Sequence, residues 1–199
     1  MRFDALGRQG TLDDVMLAGF SMGTGEVTRY LGTYWSQGVS KAVMFGVVPP
    51  FLLKTDDNPV GLDGALFEGF KAAIAADRYA YFKDFFDNFY NTDKLAPERI
   101  SEQAFQASFN VAAACSPYAS YVCVDSWLTD FRGDLPKFDV PTLVVHGTED
   151  RILPYESTAA RLPGLIDDLK FVTVEGGPHN VGWTHPEVVN PALLDFIKD

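Results

Sequence analysis

The chain has 199 residues, 47% of them hydrophobic and 22% charged, enough to bury one sizeable core and too few for more than one domain with an insertion. Its formal net charge of −11 works against binding nucleic acid or an anionic membrane, because phosphate contacts need clustered Lys and Arg that this chain does not show. The two cysteines, Cys115 and Cys123, form no Cys-x-x-Cys pair and have no histidine at ligand spacing, so structural zinc has no support and reduced, buried thiols are expected.

Residues 1–10 carry no apolar signal core, and no later stretch has the uninterrupted apolar length of a membrane span; a cytoplasmic protein is the expectation. Residues 12–20, Leu-Asp-Asp-Val-Met-Leu-Ala-Gly-Phe, form a short apolar run ending at a glycine-bracketed turn, as a buried parallel strand does. A helix comes next: Val27, Tyr30, Leu31 and Tyr34 share one face, and Gly38 stands where it can stop. Val39 to Val48 reads as the second strand, ended by Pro49-Pro50.

From Phe51 to about Pro136 the character changes to aromatic, helix-periodic segments, with Phe82, Phe85, Phe86 and Phe89 as the clearest stripe. Aromatic residues at helical spacing usually bury against their neighbours, so core packing is the first reading of that stripe. The alternation resumes with the strand Pro141 to His146, a helix around Ser157 to Leu162 and the strand Lys170 to Glu175. A last helix closes the chain, with Asn190 as N-cap, Pro191 at the first helical position and Leu193, Leu194, Phe196 and Ile197 on its buried side. The expected organisation is an α/β core in two parts, residues 1–50 and 137–199, interrupted by a helical cap over 51–136.

Gly19-Phe-Ser21-Met-Gly23 fits Gly-x-Ser-x-Gly between a predicted strand and a predicted helix, the context of a nucleophile elbow. Glycine is expected on both sides because side chains would collide in so tight a turn, while the serine hydroxyl projects from the sheet edge. The N–H of Met22, at the helix start, is placed to hold the negative oxygen of a tetrahedral intermediate. A serine hydroxyl needs a base, and the chain has three histidines, His146, His179 and His185. His146 lies inside an apolar strand and reads as a satisfied core or strand-end residue; His185 precedes Pro186 at a helix start and reads as a capping or surface residue. His179 follows a strand in the glycine-rich loop Glu175-Gly-Gly-Pro-His179-Asn, from which an imidazole can hang over a neighbouring elbow. An acid to orient that imidazole follows the strand at 141–146, where Asp150 and Glu149 compete on spacing alone. The order serine, acid, histidine is that of α/β-hydrolases.

Leu-Ala-Gly-Phe-Ser21-Met-Gly-Thr-Gly-Glu, Val-Val-His-Gly-Thr-Glu-Asp150-Arg-Ile-Leu-Pro and Glu-Gly-Gly-Pro-His179-Asn together resemble the cofactor-free haloperoxidase and arylesterase branch of the α/β-hydrolases. The resemblance implies Ser21 as nucleophile, Asp150 as orienting acid, His179 as base and the Met22 N–H as one oxyanion donor, with no metal or organic cofactor. It implies hydrolysis of small or aryl carboxylic esters, with perhydrolysis as a side activity. Dehalogenases of this fold use a carboxylate nucleophile, which serine at position 21 argues against.

Members of that branch open with several strands before the elbow, and a His-Gly-x-Pro loop among them gives the second oxyanion amide. Fewer than twenty residues precede this elbow strand, so the resemblance maps onto an N-terminally truncated, mostly parallel sheet. The elbow strand is then expected to have an open edge around Val15 to Ala18, covered by a second copy, by a partner chain or, less favoured, by residues 1–11 folding back. The missing oxyanion donor is expected from the region after Val47 or from such a partner. A rival reading is a non-catalytic subunit that keeps the triad. Trp183, Phe51 and the cap aromatics are the candidates for pocket lining.

Overall fold

Four parallel strands, β1 (Val15–Phe20), β2 (Val39–Phe45), β3 (Thr142–Gly147) and β4 (Leu169–Val174), lie in the order β1-β2-β3-β4 in this computed structural model, which describes residues 14–198. Helix α1 (Met22–Tyr34) crosses from β1 to β2, and the long segment carrying the remaining middle helices crosses from β2 to β3. Every residue of β3 is buried, which is why Thr-Leu-Val-Val-His-Gly reads as a run and not as an alternation.

Side chains nevertheless alternate between the two faces, as the two-residue period of a strand requires. Ala42, Met44 and Val144 pack with Val27 and Leu31 of α1 and with Leu162 and Ile166. Val43, Leu143 and Val145 point the other way, onto Val181, Val189 and Phe196. The sheet is thus covered by helix on both faces, and its carboxyl ends are left to carry the site.

The segment between β2 and β3 holds α2 (Gly64–Tyr90), α3 (Thr92–Leu95), α4 (Glu102–Ala113) and α5 (Pro117–Trp127). Helix α2 breaks at Asp77, whose φ of −153° and ψ of 95° are not helical; its carboxylate caps the second half of the helix by accepting from the N–H of Tyr79 and Ala80. Beyond the break Phe82, Phe86 and Phe89 are buried with Tyr90 and Ile100, the packing role their spacing suggests, while Phe85 is only partly buried against them.

Several expected boundaries are corrected. The strand expected to reach Val48 ends at Phe45, because Gly46 turns the chain at φ 54°. Residues 12 and 13 of the first expected strand, and residues 1–11, lie outside the described residues. The helix expected near Ser157 to Leu162 is two 3-10 turns, Tyr155–Ser157 and Ala159–Arg161, parted at Thr158, whose hydroxyl bonds the Pro154 carbonyl and competes with the helical pattern.

After α6 (Val181–Thr184), the last helix, α7 (Pro186–Lys198), begins before Asn190, so Asn190 is no N-cap and Pro191 sits inside the helix. The His185 carbonyl takes the N–H of Val188 and Val189 and opens that helix, with Pro186 at its first position. The thiols are free, but Cys115 is exposed and Cys123 only partly covered, so the expectation of buried thiols does not hold. Cys115 lies between α4 and α5, and Cys123 lies within α5. Among the described residues no strand pairs with the outer edge of β1, and no helix is long and apolar enough to cross a membrane.

Candidate active site

Ser21 stands between β1 and α1 with φ 54° and ψ −125°, a conformation that a non-glycine residue holds only when its surroundings impose it. Its N–H donates to the Phe45 carbonyl at 2.9 Å, and its carbonyl accepts from the Thr24 N–H at 2.9 Å and the Thr24 hydroxyl at 2.6 Å. A Cβ at Gly19 would lie 2.5 Å from the Gly23 carbonyl oxygen, so the turn demands glycine there, whereas a Cβ at Gly23 would meet nothing within 4 Å. The expected need for glycine on both sides is therefore corrected to a need at position 19.

Met22 is the first residue of α1, where a backbone N–H has no acceptor inside the helix. Its side chain reaches the cap, with Sδ 3.6 Å from the Ser126 hydroxyl on α5.

The acid and the imidazole come from the ends of β3 and β4. Asp150 is buried; Oδ1 accepts from the N–H of Ile152 at 2.9 Å and Leu153 at 2.8 Å, and Oδ2 accepts from His179 Nδ1 at 2.7 Å. Glu149 turns away to an ion pair with Lys94 at a partly exposed position. Of the two acids that spacing left open, the fold brings Asp150 to His179.

The His179 ring is fully buried, 5.1 Å from the ring of Phe20 and 4.9 Å from that of Phe89. Since Phe20 is the residue before Ser21, this stacking sets the imidazole beside the elbow. Nδ1 donates to a carboxylate, which leaves Nε2 as the lone-pair nitrogen; it is buried with no hydrogen-bond partner, Ser21 included. Such an orphaned acceptor beside a serine turn is the arrangement that can take a proton from an incoming or attacking hydroxyl. Gly46 makes room for it: a Cβ there would fall 2.9 Å from His179 Cε1. The sequence offered no signal for that role of Gly46, which depends on a contact across the sheet.

His146 is a satisfied core histidine, as its place in an apolar strand suggests, with Nδ1 accepting from the Val47 N–H at 3.1 Å and Nε2 donating to the Leu153 carbonyl at 2.9 Å. Burial pushes its pKa below the ordinary imidazole value, Asp150 opposing the shift. His185 is buried and pairs with the Thr184 hydroxyl at 2.8 Å.

Of the amides at and after Val47, where a second oxyanion donor is expected, the first two are already engaged. The Val47 N–H is taken by His146 and the Val48 N–H by the Thr24 hydroxyl at 3.0 Å. In the cap, an apolar cavity of about 280 Å³ is lined by Ile74, Tyr81, Phe82, Phe85, Cys123 and Trp127 among others. Phe51 and Trp183, expected as pocket candidates, do not line it; Phe51 is buried under Arg132 and Trp183 is exposed. Among the described residues no group of three His, Cys, Asp or Glu could hold a metal ion.

The family model described as alpha/beta hydrolase fold matches residues 3–186. This chain belongs to the α/β-hydrolases. Within that family it is similar to the "Putative non-heme chloroperoxidase" of Synechocystis sp., 58% identical over 94% of this chain and 68% of that protein. It is also similar to the bifunctional esterase/perhydrolase DCH of Acinetobacter calcoaceticus, 30% identical over 97% of this chain and 69% of that one. Among solved structures, bromoperoxidase from Bacillus anthracis superposes with a TM-score of 0.91 at 38% identity, covering 99% of this chain and 70% of that one. These relatives put the chain in the haloperoxidase and esterase branch of the α/β-hydrolases, the resemblance its three motifs carry. The chain spans about two thirds of the length of the relatives it matches.

Proposed function

We propose that this α/β-hydrolase is a serine hydrolase that cleaves small or aryl carboxylic esters through an acyl-enzyme on Ser21. The observation that carries the reading is the buried Asp150–His179 hydrogen bond, which leaves an unpartnered Nε2 beside the elbow of Ser21. His179 takes the proton of Ser21 Oγ as the oxygen attacks the ester carbonyl, and Asp150 stabilises the imidazolium. The Met22 N–H receives the negative oxygen; collapse of the tetrahedral intermediate transfers the proton from Nε2 to the leaving alcohol or phenol. Water then gives up a proton to the same nitrogen, attacks the acyl group and releases the acid, restoring Ser21.

A second reading has support in the relatives' names: hydrogen peroxide takes the place of water at the last step, and the peracid released oxidises halide. The proposal includes a second oxyanion donor from outside residues 14–198, brought by another chain or a second copy along the edge of β1 that no strand among the described residues pairs with. Native mass spectrometry checks this part; a folded monomer with full turnover removes it.

The test of the hydrolase reading is labelling by a fluorophosphonate probe alongside p-nitrophenyl acetate turnover. Label and turnover in the wild type and neither in Ser21→Ala support it. Folded protein that takes no label favours a non-catalytic subunit.

A further inference from the structure

Asp150 is held on one side by two backbone amides and on the other by His179, and a second histidine closes the same turn. The Val47 N–H can only donate, so His146 Nδ1 is the acceptor at 3.1 Å and the ring proton sits on Nε2. From there it is directed to the Leu153 carbonyl at 2.9 Å, with Asp150 Oδ2 only 3.4 Å away. Leu153 is thereby gripped at both ends, its N–H by Asp150 and its carbonyl by His146. The ring is fully buried and has the Tyr155 ring at 6.1 Å. A proton on Nδ1 would face the Val47 N–H donor to donor, so the surroundings hold this imidazole neutral and in one tautomer.

We propose that His146 is a positioning residue for the hydrolysis: its neutral Nε2–H form holds the 150–153 turn closed, so that Asp150 Oδ2 stays on His179 Nδ1. The inference rests on the serine-hydrolase reading given above. It also gives this strand-end histidine more than a packing role, because its Nε2–H holds the carbonyl of Leu153, the residue whose N–H holds Asp150.

Amide side chains separate the two functions of the ring. Asparagine places its oxygen where Nδ1 lies and can still accept from Val47, but it cannot reach Leu153. Glutamine can carry its amide nitrogen to the place of Nε2 and donate to the Leu153 carbonyl. His146→Asn is expected to lower kcat for p-nitrophenyl acetate by about 10-fold to 100-fold, taking as a guide the losses seen when outer hydrogen-bond partners of metal-bound histidines are removed. KM should stay within about twofold, since ground-state binding is untouched. His146→Gln is expected to recover most of the lost kcat.

A readout independent of turnover is the far-downfield NMR proton of His179 Nδ1–H, identified by its loss in Asp150→Asn. It should persist in His146→Gln and broaden or shift in His146→Asn. The proposal is overturned if folded His146→Asn keeps both the resonance and kcat, or if folded His146→Gln loses both. Equal losses in both variants that track a fall in melting temperature would likewise reduce His146 to packing. If the wild type neither turns over ester nor takes the fluorophosphonate, the hydrolase reading fails, and the resonance still decides whether His146 holds the Asp150–His179 pair.

Discussion

Replacing Asp150 by asparagine tests the charge arrangement of the site with almost no change in shape. The N–H groups of Ile152 and Leu153 both donate to Oδ1, so they fix the introduced amide with its oxygen at that place and its NH2 at the place of Oδ2. That NH2 then faces His179 Nδ1, 2.7 Å from the original oxygen, and two donors cannot share the contact. The imidazole must shift its proton to Nε2, which removes the lone pair meant for Ser21. The same substitution in a serine protease lowers kcat by about 10⁴-fold through the wrong tautomer, equivalent to about 5.5 kcal/mol of transition-state stabilisation. Glu149→Gln is the matched control, because Glu149 pairs with Lys94 at a partly exposed position and such pairs contribute about 1 kcal/mol or less. The assay is kcat on p-nitrophenyl acetate with the rate of fluorophosphonate labelling, at neutral pH, on variants shown to be folded. An Asp150→Asn variant within tenfold of wild type, or a larger loss in Glu149→Gln, would refute the assignment of the orienting acid.

Other consequences can be measured separately. Burial lowers the pKa of His146 and His185, so the unfolded chain binds protons near pH 6.5 that the folded chain does not. Stability contributed by these groups is present above about pH 6.5 and is lost as pH falls below it; the melting temperature should drop between pH 7.5 and 5.5, and by less in His146→Gln. Gly19→Ala should destabilise the fold or abolish labelling of Ser21, because the added Cβ meets the backbone of Gly23 and Thr24; thermal melting with probe labelling reads it. Phe67→Ala removes a fully buried ring from the cluster that holds α2 to α5 and the loop after β2, and a loss of about 3–5 kcal/mol is expected in urea unfolding. Cys115 is exposed, while burial raises the pKa of the Cys123 thiol, so Ellman's reagent should titrate one thiol equivalent quickly and a second only slowly.

Most of this fold is written in local signals. The buried runs around Leu17, Val43, Val144 and Val172, the glycine-bracketed Ser21 and the helical period after it place β1, α1, β2, β3 and β4 within a few residues, because a parallel strand covered on both faces needs an uninterrupted apolar segment. The sequence by itself also determined the chemical types of the site and their order, since Ser21, the acid turn and His179 each stand at the end of such a run. What it left open was decided between segments far apart in the chain. Asp150 and Glu149 are neighbours with the same charge, and only the close approach of the loops after β3 and β4 aims one at His179 and the other at Lys94. The start of α7 turned on Pro186 rather than Pro191, a competition between two equally good local signals. The amides of Val47 and Val48, the room left by Gly46 and the two bonds of His146 depend on contacts across the sheet. Spacing along a strand fixes which face a side chain takes but not which atom it meets on the next strand, and so it is the tertiary structure that brought one of the two candidate acids, Asp150, to His179 and left the other nitrogen of that ring without a partner.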